Sequence, residues 1–339
     1  MTLDVLHRVV DGHSLTAEQA ESAMSALLAG EFTPALTAAF LIGLRMKGET
    51  VDELAGFARA MRRAAAPVPI GDAARPCLDT CGTGGDGMAT FNISTVAAFV
   101  VAGAGVRVAK HGNRSISSRC GSADVLEALG VKASVAPDAA ARAIREAGIC
   151  FLFAPAFHGA MRHVHPVRVE LKMRTVFNFL GPLTNPACAE VQMAGAWSDE
   201  AAEKIAGALA RLGVSRAFVV HGSDGLDELT ITGESTVFSV YPGRVERLVP
   251  SPEDFGIRRQ PGDGIKGGAI EINRSIAECV LAGVAGPARD VVLMNSALAL
   301  IAAGKAAAYS EAMEVARDSI DSGSAMQKLL RLRELTPID

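Results

Sequence analysis

Asp79-Thr-Cys-Gly-Thr-Gly-Gly-Asp86 follows an apolar run and precedes a helix, and its glycines strip side chains from the turn between them. A turn of this kind can lay backbone N–H groups against a phosphate. Further along, Lys110-His-Gly-Asn-Arg-Ser-Ile-Ser-Ser118 gathers two cations, several amide or hydroxyl side chains and a glycine of its own. Together the two segments describe a polyanion site with a floor and a clasp, set in alternating strands and helices.

Gly82, Gly84 and Gly87 also satisfy the dinucleotide pattern G-x-G-x-x-G. That fingerprint opens its helix within the glycines and carries an acid about 20 residues on for the ribose. Here Asn92-Ile-Ser-Thr95 intervenes before the apolar helix expected from Val96, and the next strand, Val106–Ala109, runs into Lys110 and Arg114. A phosphate-binding P-loop fits less well, because Asp86-Gly87-Met88 stands where Lys-Ser/Thr is needed.

The composition sets bounds. The chain has 339 residues, 49% hydrophobic and 21% charged, enough for a large core and two domains. The richest apolar run, Val96–Gly105, is broken by glycines, so no membrane span is expected. The N-terminal residues lack a basic region followed by an apolar core, and the six cysteines form no C-x-x-C pair, so reduced thiols in the cytoplasm are the expectation. A net charge of −4 argues against a nucleic-acid groove.

The chain divides near residue 70. Thr16-Ala-Glu-Gln19, Thr33-Pro34 and Thr50-Val-Asp-Glu53 read as helix starts, Gly30 and Gly48 as stops, and strand-like runs are absent, so residues 1–69 form a helical domain. Residues 70–339 alternate β-branched runs with Ala-rich helices. Strands are expected at Cys77–Thr80, Val106–Ala109, Ala217–His221 and Thr236–Val240, and helices at Thr95–Gly103, Ser122–Leu129, Pro137–Ala147 and Asp199–Leu212. The fold class is therefore α/β: a small all-helical N-terminal domain and a larger domain with a mostly parallel central sheet. His165–Asn185 cannot be placed by pattern.

Asn92, Ser94 and Thr95 stand at a helix start, where they either cap the helix or help its free N–H groups receive an anion. Asp227 and Glu228 follow the Ala217–His221 strand, at the edge where open α/β sheets bind ligands. They are either a surface turn or hard oxygen ligands of the kind Mg²⁺ takes. His158, His163 and His165 lack a fourth partner at zinc spacing.

The glycine turn, Asn92–Thr95, Lys110–Ser118, Ser122–Gly130, Phe151–Pro155, Phe177-Asn-Phe-Leu-Gly-Pro-Leu-Thr-Asn-Pro186 and Asp224-Gly-Leu-Asp-Glu228 resemble, in the same order, the anthranilate phosphoribosyltransferases. The resemblance implies a nucleoside phosphorylase-like fold, with residues 165–187 packing against the helical domain, and transfer of phosphoribose from phosphoribosyl pyrophosphate to anthranilate in tryptophan biosynthesis. It implies donor contacts from Gly82, Gly85, Asp86, Thr90, Asn92, Ile93, Ser94, Thr95, Lys110, His111, Gly112, Asn113, Arg114, Ser115, Ile116, Ser117, Ser118 and Ser122. Anthranilate would meet Gly82, Asn113, His158 and Arg168. Ser94, Asp227 and Glu228 would hold Mg²⁺, in two ions. The same resemblance implies a homodimer through the N-terminal helices. No general base is assigned, because an arylamine already offers its lone pair.

The chain departs from the family on the acceptor side: Val169 stands where a second arginine often follows Arg168, and Leu171-Lys-Met-Arg174 replaces the commoner Leu-Gly-Ile-Arg. Two alternatives share the fold. Pyrimidine nucleoside phosphorylases lack the pairing of Asp-Gly-Leu-Asp-Glu with Asn113 and Arg168, and nucleic-acid-binding relatives call for a basic groove that the net charge disfavours.

Overall fold

The computed structural model describes residues 2–114 and 120–338. Four helices open the chain, α1 (Thr2–Val10), α2 (Ala17–Leu28), α3 (Pro34–Lys47) and α4 (Val51–Ala64). Thr16 and Gln19 form a reciprocal capping box, as do Thr50 and Glu53, and Thr33 caps α3 ahead of Pro34.

The second unit is built on a seven-stranded sheet in the order β3-β2-β1-β4-β5-β6-β7. Its strands are β1 (Cys77–Asp79), β2 (Arg107–Gly112), β3 (Ile149–Phe153), β4 (Val191–Gly195), β5 (Arg216–Gly222), β6 (Ser235–Tyr241) and β7 (Arg244–Leu248). The pairs from β3 through β5 are parallel, and β6 and β7 add an antiparallel edge. Chain order runs outward from β1 to β2 and β3, then resumes on the other side at β4. The switch point lies between β1 and β4, where open α/β sheets form a crevice at the carboxyl ends of the strands.

The helices of this unit are α5 (Ile93–Gly103), α6 (Ser122–Ala128), α7 (Pro137–Glu146), α8 (Ala154–Phe157), α9 (His165–Leu171), α10 (Phe177–Leu180), α11 (Asp199–Arg211), α12 (Ile270–Leu281), α13 (Pro287–Ala302), α14 (Tyr309–Asp321) and α15 (Ser324–Leu335). One core packs sheet residues such as Val108 and Val220 against Phe99, Leu298 and Ile320. The other joins Ala217 and Val219 to Ile205 and Leu209 of α11, then continues into Leu54, Phe57 and Phe40 of the helical bundle. Val164, Val176, Phe177, Leu180 and Leu183 belong to that second core, so the segment from residue 165 to 187 shares its packing with the N-terminal helices.

Several elements differ from the sequence expectation. Strands β3, β4 and β7 were not expected as strands: β4, buried throughout, carries none of the alternation that marks a half-exposed strand. β2 continues past Ala109 to Gly112, which takes Lys110, His111 and Gly112 out of any loop. α5 starts at Ile93 and not near Val96, so Ser94 and Thr95 lie inside its first turn.

Candidate active site

The glycine turn leaves β1 at the switch point. Gly84, Gly85 and Gly87 take φ of 63°, 76° and 76°, a left-handed path that side chains disfavour. The Thr83 amide donates to the Gly195 carbonyl of β4 at 2.9 Å, which closes the turn across the gap between β1 and β4. A Cβ on Gly195 would sit 1.6 Å from the Asp227 carbonyl oxygen, and one on Gly82 would sit 3.1 Å from Asp227 Oδ2. Bare backbone at both positions is what admits the Asp227-Glu228 loop to the floor of the crevice.

The carboxylates close on the turn and on the start of α5. Asp227 Oδ2 accepts the Gly84 amide at 2.8 Å, and Glu228 Oε1 accepts the Ser94 amide at 3.1 Å. Asp86 Oδ2 accepts the Asp227 amide at 3.4 Å. Burial, then the charge of Asp86, raises the Asp227 carboxyl above its usual range; burial, then Asp227, raises Glu228. Neighbouring carboxylates whose charge is incompletely offset, with the Ser94 side chain against Glu228, are hard oxygen donors of the type a divalent cation takes. Of the two readings open from sequence, a surface turn does not fit this placement.

Lys110 is 3% exposed. Its Nζ donates to the Thr80 carbonyl at 2.9 Å and to the hydroxyls of Thr80 and Ser94 at 3.2 and 3.3 Å. It therefore props the turn and the α5 start from beneath, which corrects its reading as part of a flexible clasp. Asn92 occupies the N-cap position of α5 but makes no side-chain cap. Its Nδ2 donates to the Cys120 carbonyl at 3.1 Å and its Oδ1 accepts from Asn273 of α12 at 3.1 Å. Asn92 fixes the loop rather than capping the helix. Thr95 and Ile93 are buried, and Thr90 bridges to Lys266.

Gly112 ends β2, with Asn113 and Arg114 exposed just beyond it. Arg114 is drawn toward α6, pairing with Asp124 at 2.5 Å and Glu127 at 2.6 Å, while Ser122 opens that helix. Ser115, Ile116, Ser117 and Ser118 lie outside the described residues.

On the other wall, His111 and His158 sit 5.2 Å apart, ring centroid to centroid. Both are buried, and desolvation lowers them to about 3 and about 4, so both rings are neutral at pH 7. His111 Nδ1 lies 3.0 Å from the Gly181 carbonyl, while Nε2 of each ring has no partner among the described residues. Arg168 of α9 is half-buried, with its guanidinium 5.1 Å from the centre of the Phe177 ring. Desolvation lowers its pKa, and among the described residues no carboxylate pairs with it. A partly desolvated guanidinium without a counter-ion is suited to receiving an anion.

Sequence reasoning missed Gly195, Thr80, Asn273 and Arg174, whose Nη2 donates to the Gly85 carbonyl at 2.7 Å. Thr80 and Arg174 lie in segments the sequence marks, but the role of each of the four comes from a partner far along the chain.

Residues 74–326 match the glycosyl transferase family a/b domain and residues 3–65 the helical bundle domain of the same family. Over 329 residues, covering 97% of each chain, the sequence is 59% identical to an anthranilate phosphoribosyltransferase of Solibacter usitatus. It is 55% identical to one from Moorella thermoacetica, covering 96% of this chain and 95% of the relative. The crystal structure of anthranilate phosphoribosyltransferase from Thermus thermophilus superposes with a TM-score of 0.92 at 46% identity, covering 98% of this chain and 99% of that one. The Saccharomyces cerevisiae enzyme in complex with phosphoribosyl pyrophosphate and Mg superposes with a TM-score of 0.90 at 28% identity, covering 98% and 97%. With domains, sheet and crevice all matched over nearly the whole length, the chain belongs to the anthranilate phosphoribosyltransferases of this glycosyl transferase family.

Proposed function

We propose that the chain transfers the phosphoribosyl group of 5-phosphoribosyl 1-pyrophosphate to the amino nitrogen of anthranilate, a step of tryptophan biosynthesis. The products are N-(5-phosphoribosyl)anthranilate and pyrophosphate. The observation that carries this reading is the pairing of Asp227 and Glu228 with the amides of Gly84 and Ser94 at the switch point. A phosphorylated ligand there meets a glycine turn, a helix start and a cation site at once. The raised, mutually repelling carboxyls suit Mg²⁺, and we assign one ion to Asp227 and Glu228 and a second beside Ser94. When bound, Mg²⁺ disperses the charge that grows on pyrophosphate as it leaves.

Gly82, Gly85, Asp86 and Thr90 bring the turn to the donor, with Lys110 supporting it from below. Asn92, Ile93, Ser94 and Thr95 present the α5 start, and His111 to Ser118 with Ser122 complete the opposite side. Arg168 takes the acceptor carboxylate, with Asn113, Gly82 and His158 around the ring. The C1–O bond to pyrophosphate breaks, the arylamine nitrogen forms the new bond to C1, and the nitrogen then releases its proton. Both histidines being neutral, neither presents a positive charge to the oxocarbenium-like centre.

Residues 1–69, with 165–187 packed against them, form the proposed helical domain, and 70–339 carry the donor. We assign a homodimer through the N-terminal helices, supported by exposed Leu3 and Val10 of α1 and Met46 of α3, with Val169 and Met173 nearby. Val10→Glu with Met46→Glu is expected to give a monomer by light scattering; an unchanged mass would remove this interface. Among the described residues no helix is long and apolar enough to cross a membrane, and no disulfide joins any of the six cysteines, which supports a reducing compartment, the cytoplasm.

The deciding experiment mixes protein, Mg²⁺, phosphoribosyl pyrophosphate and anthranilate and follows the fluorescence of anthranilate. Its loss is expected. No loss, with phosphorolysis of uridine or thymidine instead, would replace this reading with that of a nucleoside phosphorylase.

A further inference from the structure

The glycine turn is held from three sides. Thr83 is tied to Gly195 of β4, Gly84 to the Asp227 carboxylate, and Gly85, through its carbonyl, to the guanidinium of Arg174. The first tie is backbone to backbone and comes from the sheet. The second uses a carboxylate oxygen that the proposed cation would also claim, so it is the tie with which a bound Mg²⁺ would compete. Apart from the long contact of Asp86 Oδ2 with the Asp227 amide at 3.4 Å, Arg174 supplies the other side-chain tie, and it comes from the segment between α9 and α10.

Arg174 is itself anchored on the acceptor side. Its guanidinium lies 5.0 Å from the centre of the Trp197 ring, Trp197 meets Phe179 of α10 edge-on at 4.7 Å, and the Arg174 carbonyl accepts a hydrogen bond from Arg45 of α3. One side chain thus bridges the donor turn, the crossing segment and Trp197, two residues past the end of β4. Its backbone is in turn tied to the helical bundle.

We propose that Arg174 is a positioning residue for the donor: its bond to the Gly85 carbonyl holds the glycine turn over the crevice so that the turn's amides can meet the donor, and the Arg174–Trp197 stack reports donor binding. The proposal rests on the donor-binding reading of the crevice. It assigns Arg174 no contact with substrate. Its effect falls on the affinity for the donor, because a turn without this tie samples positions in which its amides miss the phosphate. The acceptor carboxylate, assigned to Arg168, is not addressed by it. Trp197 is the single tryptophan of the chain, so its emission is unambiguous.

The test compares wild type with Arg174→Ala and Arg174→Lys, each first checked for an unchanged melting profile and circular dichroism spectrum. Mg²⁺ and phosphoribosyl pyrophosphate are titrated, without anthranilate, while tryptophan emission is recorded. The KM of each substrate is then measured. Wild type is expected to show a saturable change in emission. Arg174→Ala is expected to lose that change and to raise the KM for phosphoribosyl pyrophosphate about tenfold, the size of one charge-assisted hydrogen bond. The KM for anthranilate should stay within about twofold. Arg174→Lys should recover part of the donor affinity, since an ammonium still donates to the Gly85 carbonyl but stacks less well on Trp197. A wild-type donor KM in Arg174→Ala, or a larger loss of anthranilate than of donor affinity, would overturn the proposal. Should Arg174→Ala fail to fold, a donor KM in Arg174→Lys equal to wild type together with a Mg²⁺–donor titration that leaves wild-type Trp197 emission unchanged would also overturn it. Wild-type protein with no turnover at all would instead count against the proposed activity.

Discussion

The Gly84 amide and the Asp227 carboxylate are joined by a 2.8 Å hydrogen bond across 143 residues of sequence. The contact ties the turn to the Asp227 loop and uses a carboxylate oxygen that the proposed metal would share. It also places an ionisable group, raised by burial and by Asp86, where the donor's phosphates are proposed to arrive.

Changing Asp227 to Asn and Glu228 to Gln should abolish most Mg²⁺-dependent turnover and, in the absence of metal, stabilise the fold. Both carboxyls are raised in the folded state, so they hold protons that the unfolded chain gives up near pH 4. Their destabilising effect therefore grows as pH rises from that value and is complete above the raised folded values. The melting temperature of the metal-free double variant should exceed wild type at pH 8.5 and match it near pH 4. In the wild type, protons compete with the cation, so Mg²⁺ affinity should weaken as pH falls below neutrality. Isothermal titration at several pH values checks this, and a pH-independent affinity would contradict the assignment.

Arg168→Ala should raise the KM for anthranilate roughly 10- to 150-fold, the range of a charged hydrogen bond worth about 1.5–3 kcal/mol. The KM for phosphoribosyl pyrophosphate should hardly change. Lysine at this position should restore only part of the loss, because a point charge cannot match a carboxylate with two parallel bonds. Initial rates with each substrate varied in turn decide it: a donor-side effect larger than the acceptor-side effect would misplace the acceptor pocket.

Gly195→Ala removes the room that the Asp227 loop uses, since the new Cβ would lie 1.6 Å from a backbone oxygen. Neither partner is the end of a flexible side chain, so the loop must move. A loss of about 3 kcal/mol in denaturant unfolding is expected, with impaired Mg²⁺ binding. Wild-type stability together with wild-type Mg²⁺ affinity would show that the loop relaxes at no cost.

Lys172 caps α9 at φ 48° and ψ 35°, in the left-handed region that favours glycine. Left-handed backbone costs a side-chain-bearing residue about 1–2 kcal/mol, and glycine returns some of that through the freer unfolded chain. Lys172→Gly should stabilise the protein by about 0.5–1 kcal/mol, read as a small rise in the denaturant midpoint at constant slope. A lower midpoint would mean that the lysine side chain contributes more than its backbone strain.

The sequence by itself determined the two-part architecture and the identity of the crevice. Capping residues such as Thr16 and Thr50 act on amides three positions away, and the glycines of Gly82–Gly87 set their own turn, so these features are legible locally. Asp227 and Glu228 could be read as a turn or as ligands, and spacing alone left that open. Tertiary structure removed the surface-turn reading, because Asp227 and Glu228 are bonded to the Gly84 and Ser94 amides beside Asp86, groups brought near only by the sheet's switch point. The same holds for Lys110, whose charge reads as a loop cation until β2 extends far enough to bury it beneath Thr80. Gly195 carries no mark in the sequence, and Arg174 is visible there only as the end of Leu171-Lys-Met-Arg174, with no sign of its partner. Their roles are steric and electrostatic relations to residues far along the chain, and such relations exist only once burial and parallel pairing have fixed which strands are neighbours.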